Sequence, residues 1–316
     1  MPKERTHWLL AFKAREKLPA GHLKNLLKAR ENAYLLGAVA PDSVFFPLDL
    51  GRGREKHTHF FHGQGSSDTF RFWRQAAERE WLFDEERTAF LYGLTSHIVS
   101  DAVFHPAVHY FSGWPDHPDR NIARGATSRH FRLEALLDLY LGNYFQYDPS
   151  RVMIKDMLKE IDVEKIAETA GLLFFPWDPL EVDVMKKLFE KHAFYQERYG
   201  RRDYLLLSWL LKIIGISVQG KRDLFYRQPM GSFRERQLEY VHPVTGEALR
   251  ITWVKAAEDA AIRAAEIMAG ISSLLQAEAY EEIPPGPHPD FGISSDRAAG
   301  EKMLHCGPVR PESLFR

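Results

Sequence analysis

In residues 96–109, SHIVSDAVFHPAVH, three histidines and a carboxylate recur at every fourth position: His97, Asp101, His105 and His109. A four-residue step turns a helix by only about 40° and advances it about 6 Å, so His97, Asp101 and His105 would line one helix face. Pro106 follows at once and is expected to interrupt that helix, taking His109 out of the line. A second pair at the same spacing, His130 and Glu134, lies in SRHFRLEALLDLYL, whose apolar surroundings point it toward a core. Eight of the fourteen histidines fall between residues 57 and 130: His57, His59, His62, His97, His105, His109, His117 and His130.

Imidazole nitrogen and carboxylate oxygen bind zinc at about 2.0–2.2 Å, and residues one helical turn apart can offer two ligands to one ion. Asp101, between two histidines, is placed to bridge two ions. The chemistry such a centre supports is attack by zinc-activated water on a phosphate or carboxyl ester. The residue pattern also admits blander readings. His97 with Asp101 would serve as a buried hydrogen-bonded pair, and His130 with Glu134 as a surface pair worth a few tenths of a kcal/mol.

Composition narrows the choice. The formal net charge of −1, from 42 basic and 43 acidic residues, supplies no global field for nucleic acid or an anionic membrane, and no stable nucleic-acid complex is expected. Cys306 is the sole cysteine, which excludes an internal disulfide and any thiolate-rich zinc cluster. A metal would have to be held by His, Asp and Glu. No signal-peptide core is visible near Met1, and the apolar stretch from Tyr204 to Val218 carries Lys212 and is shorter than a bilayer span. A cytoplasmic protein without a transmembrane segment is expected.

The elements that must position these residues read as helices. Leu23, Leu26, Leu27, Tyr34 and Leu35 mark one over 21–38, ending at Ala40-Pro41. A polar loop over 47–65 carries His57, His59 and His62. Asp68 is expected to cap a helix through Trp81, Asp84-Glu85-Glu86 to open one over 85–105, and Ser128 to cap one from Arg129 to Phe145. Further helices fit 150–159, 162–173, 179–198, 202–218 and 255–279. Residues 236–254 read as a β-hairpin around Pro243-Val244-Thr245-Gly246, and 281–316 as a Pro-rich extended tail. The fold class is all-α (mainly α): a helical bundle over 1–148, a helical extension with one small β-hairpin over 149–280, then the tail.

Thr6-His7, Pro41-Asp42, a histidine within HTHFFH, His97-x3-Asp101 followed by His105, and His130-x3-Glu134 occur in the order and spacing of a known family. Over residues 5–145 the chain resembles the zinc-dependent phospholipase C family, whose relatives include the catalytic domain of glycosylphosphatidylinositol-specific phospholipase D and, more distantly, the single-strand-specific zinc nucleases. The resemblance implies an all-α catalytic core holding two or three zinc ions. His7 and Asp101 would hold one ion. Asp101 would also bridge to a second, shared with His97, His59 and Asp42, and His105, His130 and Glu134 would hold the third. Asp42 is further implied as general base or orienter of the attacking water. His59 best matches the Ser/Thr-His-Phe context, with His57 and His62 as substitutes and His109 as an additional ligand or substrate contact.

The implied activity is phosphoric ester hydrolysis of phospholipase C type on a small phosphodiester or phospholipid. A zinc nuclease or nucleotide phosphoesterase is the alternative within the enzyme class; it asks for basic and stacking residues, for which Arg52, Arg54, Lys56, Arg71, Arg120 and Arg124 are candidates, though surface solvation explains them equally well. A non-catalytic metal-binding scaffold is the alternative outside it, and Asp42 argues against that reading because a structural site needs no water-orienting carboxylate.

Overall fold

Asp84 starts the helix around which the chain is organised: its carboxylate accepts hydrogen bonds from the backbone N–H groups of Glu86 and Arg87. In the computed structural model, which describes residues 4–44, 68–148, 152–174, 182–198, 226, 233–295, 297–298 and 301–315, this helix runs from Glu85 to Ser112. In chain order the helices are α1 (Glu4–Lys17), α2 (His22–Ala29), α3 (Glu31–Gly37), α4 (Ala40–Ser43), α5 (Arg71–Glu78), α6 (Glu85–Ser112) and α7 (Arg120–Tyr144), then α8 (Ile154–Glu160), α9 (Val163–Phe174), α10 (Val182–Gln196) and α11 (Trp253–Gln276). Strands β1 (Leu238–Val241) and β2 (Ala248–Ile251) form an antiparallel hairpin, with Tyr240 opposite Leu249. The protein is mainly helical, as expected, and among the described residues no helix is long and apolar enough to cross a membrane.

Four expectations are corrected. Pro106 does not end α6, which continues for six more residues and keeps His109 on the helix. Proline removes the N–H that would have bonded the Ala102 carbonyl. The tail covers that carbonyl: Gly292 lies so close that a Cβ there would come 2.4 Å from the Ala102 oxygen, and its φ of +67° also favours glycine. The helix expected over 21–38 is broken at Arg30, whose ψ of 39° leaves the helical region while its guanidinium pairs with Glu85. Pro41 does not close a helix but sits in the first turn of α4, where a missing N–H costs nothing. Ser128 is interior to α7, because Asp119 caps that helix earlier through the N–H groups of Asn121 and Ile122.

Asp68 also differs from its expected role. It caps no helix directly; its carboxylate accepts from Phe70 N and from Gly286 N, and pairs with Arg74, so it braces the tail instead. The helix expected over 202–218 and the loop over 47–65 lie outside the described residues.

Two apolar clusters frame the centre of the molecule. One joins Trp8, Tyr34, Trp73, Phe90 and Ile98 to Phe189 and Met268; the other joins Leu10, Phe104, Leu136 and Leu141 to Trp253 and Phe315. Both therefore mix residues from either side of position 148. Between α3 and α6 the backbones touch: a Cβ at Gly37 would lie 2.1 Å from the Phe90 carbonyl oxygen, and one at Gly93 2.1 Å from that of Tyr34. This contact, one turn before His97, sets what the site can reach.

Candidate metal centre

The four-residue rhythm of α6 buries His97, Asp101, His105 and His109 in the middle of the protein. Other helices bring partners to that face. α1 supplies His7, whose ring stacks on His97 with centroids 4.1 Å apart and whose Nε2 lies 3.4 Å from an Asp101 oxygen. α4 supplies Asp42, 3.9 Å from the Nε2 atoms of both His7 and His97. α7 supplies His130 and Glu134, in contact at 2.6 Å, with Glu134 3.8 Å from His105 Nε2. Asp101, fully buried, has oxygens 3.1 Å from His97 and 3.6 Å from His105 and so stands between the two groups.

His97 and His105 are held from behind, and so are the helices that carry His7 and Asp42. The close approach of α3 to α6 brings the Ala38 carbonyl to His97 Nδ1 at 2.9 Å, so Nδ1–H donates and Nε2 is left facing Asp101. His105 Nδ1 lies 3.0 Å from an Asp290 oxygen. An ionised carboxylate only accepts, so Nδ1–H donates here too and Nε2 points inward. The start of α1 is bound by Asp138, which accepts from the Thr6 N–H and hydroxyl at 2.9 and 2.6 Å. Trp8 adds a bond to the Leu35 carbonyl, and Tyr34 one to that of Ala11. α4 is anchored by Ser43, whose Oγ lies 2.8 Å from His192 Nδ1, while His192 Nε2 meets Glu4 at 3.0 Å.

The protonation states suit a cation. Burial pushes His7 and His130 well below the usual histidine range and His105 down to about 4, so these rings are neutral and able to ligate. For Asp101 the effect of burial is outweighed by His105, His97 and His7, which hold it well below the ordinary carboxylate range. Asp290 is likewise held low against its burial by hydrogen bonds from His105 and His109. His97 moves up, the pull of Asp101 and Asp42 overcoming burial. Burial raises Asp42 to about 8, with His97 opposing and Asp101 reinforcing the shift. A neutral acid at that position becomes a carboxylate at neutral pH once a cation sits beside it.

The donor set fits zinc. Both ring nitrogens of His7, Asp42 Oδ1, both Asp101 oxygens, His105 Nε2 and His109 Nδ1 are buried with no hydrogen-bond partner among the described residues. Each such atom ordinarily costs about 1–3 kcal/mol, a penalty that ligation removes. Ligand atoms of His7, His97 and Asp101 lie within 4.8 Å of one another, as do those of His105, His130 and Glu134, and those of His105, His109 and Asp290. Nitrogen and carboxylate oxygen without thiolate is a donor set that zinc accepts.

The structure thus brings together His7, Asp42, His97, Asp101, His105, His130 and Glu134, with His109 alongside. His57, His59 and His62 lie outside the described residues. Sequence reasoning missed the supports: Asp138, Glu4, His192 and Asp290. Asp138 alone carried a signal, since His130, Glu134 and Asp138 continue a four-residue rhythm along α7.

No curated protein and no solved structure matches the chain. Residues 6–175, just over half of the chain and the span that carries every ligand candidate named above except Asp290, match the family described as zinc-dependent phospholipase C. On that match the chain belongs to the zinc-dependent phospholipase C family.

Proposed function

We propose that the protein is a zinc-dependent phosphoric ester hydrolase of phospholipase C type, cleaving a phosphodiester, either a phospholipid or a small soluble one, with zinc-activated water. The observation that carries this reading is Asp42. Its Oδ1 is buried without a hydrogen-bond partner among the described residues, and the carboxyl stands 3.9 Å from both His7 and His97. A structural site would have no use for an acid held there on its own short helix.

Zinc held by these residues would supply Lewis acidity, lowering the pKa of a water and stabilising the charge that develops on the phosphoryl oxygens. His7, His97 and Asp101 form the inner ligand group with Asp42 beside it, and His105, His130 and Glu134 form the outer one. Asp101 serves both. Asp42 orients the attacking water and accepts its proton. Backbone and carboxylate partners of His97 and His105 hold their rings so that Nε2 faces Asp101, where it would meet a bound ion. His59 is the best candidate for a further ligand, with His57 and His62 as alternates, and His109 stands at the outer group. Placement in the cytoplasm belongs to the same reading, supported by the single cysteine.

The test is hydrolysis of a chromogenic phosphodiester by the zinc-replete chain. Asp42→Asn is expected to cut the rate by about 10²–10⁴-fold while zinc stays bound. Full activity in that variant would remove Asp42 from the mechanism. Degradation of single-stranded DNA in preference to the phosphodiester would make the protein a nuclease. Tightly bound zinc with no hydrolysis of either would make it a scaffold.

A further inference from the structure

The part of the tail that reaches the centre is a short folded strap outside the family-matched span. Residues 286–295 turn back on themselves: Pro287 pairs with Ser294, Ser295 N–H donates to the Gly286 carbonyl at 3.1 Å, and His288 N–H donates to that of Ile293 at 2.7 Å. Three elements pin this turn. Asp68 and Thr69 bond Gly286 N and the Pro287 carbonyl, Arg74 bonds the Ile283 carbonyl, and His242 at the end of β1 donates from Nε2 to the Phe291 carbonyl at 2.8 Å. Gly292 seats the turn on α6 at Ala102, where Pro106 has left a carbonyl without its helical donor. Seated in this way, the strap places the Asp290 side chain against the ladder.

Asp290 lies 3.0 Å from His105 Nδ1 and 3.4 Å from His109 Nε2, using the same oxygen for both. His105 is the histidine whose other nitrogen faces both Asp101 and Glu134. A carboxylate behind a ligating imidazole fixes the ring and raises its basicity. On α6 itself nothing could play this part, because the fourth-residue neighbours of His105 are Asp101 on the metal side and His109. We propose that Asp290 is a positioning residue for the zinc held by His105, His130 and Glu134, so that docking of the strap and zinc binding at that end of the centre are one linked equilibrium.

This inference rests on the zinc reading of the centre and is tested with the full chain and zinc alone. Chelator competition gives the stoichiometry and the Kd of each ion for the wild type, Asp290→Ala, Asp290→Asn and Asp290→Glu. The unfolding midpoint of each is read with and without zinc, and amide exchange over 283–295 is followed in parallel. Asp290→Ala is expected to weaken one ion by about 10–100-fold, leave the others unchanged and shrink the zinc-dependent rise in midpoint. Asp290→Asn, which keeps an accepting oxygen, should lose less, and zinc should slow exchange in the wild-type strap. Unchanged affinity for every ion in Asp290→Ala, or equal destabilisation with and without zinc, would overturn the proposal and leave the zinc centre standing. Loss of one ion altogether would make Asp290 a ligand and overturn the positioning role. A wild type that binds no zinc would instead overturn the reading on which the proposal rests. Should Asp290→Ala fail to fold, the nearly isosteric Asp290→Asn carries the same comparison.

Discussion

The two ends of the histidine ladder are built differently. At the inner end His7, Asp42 and His97 are held by helices packed at the shortest distance that backbones allow: Gly37 against Gly93, the Ala38 carbonyl on His97, and Asp138 on the first turn of α1. At the outer end His105 depends on Asp290, a partner 185 residues along the chain and 23% exposed, carried on a strap rather than a helix. The inner end is preorganised by the same packing that stabilises the fold, whereas the outer end, though its His105, His130 and Glu134 stand on α6 and α7, also draws on the strap. Asp101 lies where the two meet.

The largest effect should therefore come from Asp101. Asp101→Asn keeps the shape but removes the charge that His7, His97 and His105 share, so both ends fail together. Zinc should be lost from both ends, leaving less than one ion per chain, and phosphodiester hydrolysis should fall by roughly 10³-fold. If metal analysis of that variant showed only the inner or only the outer ion missing, the two ends would not be joined through Asp101.

Gly93→Ala breaks the inner end alone. Its new methyl would meet the Tyr34 carbonyl at 2.1 Å and force α3 away from α6, at a cost of about 1–3 kcal/mol. The Ala38 bond to His97 and the placement of Asp42 go with it. Denaturant unfolding should show the loss, and chelator competition should show weaker zinc at the inner end with the outer ion untouched. An equal loss at both ends would erase the contrast drawn above.

Acid should test the burial of the histidine rings in the metal-free protein. Burial lowers the pKa of His7, His105 and His130, so as pH falls below about 6.5 the unfolded chain takes up protons that the folded chain refuses. Stability contributed by these rings is therefore present near neutrality and lost on acidification, by up to about 1.4 kcal/mol per pH unit for each. His97 has the opposite sign, since its raised pKa makes its contribution present at low pH and lost as pH rises through the folded value. Urea unfolding of chelator-stripped protein between pH 6.5 and 5 should fall steeply, and His105→Gln should flatten the slope. No change of slope in that variant would mean that His105 is not held neutral by burial.

What could be read in advance follows the same division. The ladder and the His130–Glu134 pair were legible because i, i+4 spacing is a local signal, and the hairpin because Pro243 to Gly246 has turn chemistry. His7 and Asp42 are single residues on separate helices; their types suggest nothing without the family pattern. Asp290 and His192 meet partners 185 and 188 residues away, and no local periodicity encodes such a contact. Pro106 misleads for a related reason: the rule that proline ends a helix describes a local cost, and here the long-range packing of α6 outweighs it.

Ser43 offers the smallest effect and the finest distinction. Its hydroxyl contacts His192 Nδ1 at 2.8 Å, and His192 in turn meets Glu4 at the start of α1, so one chain of bonds ties the helix of Asp42 to the helix of His7. Ser43→Ala takes away one link while leaving both ligand candidates in place, and should cost about 1–2 kcal/mol in unfolding. If that link only stabilises the fold, kcat and KM will both stay at their wild-type values. If it sets the distance between Asp42 and His7, kcat should drop several-fold with little change in KM, and the outer zinc should bind as before. The second outcome would extend the contrast beyond the family-matched span, because His192, like Asp290, lies past residue 175, yet it would be serving the inner end from a helix rather than the outer end from a strap.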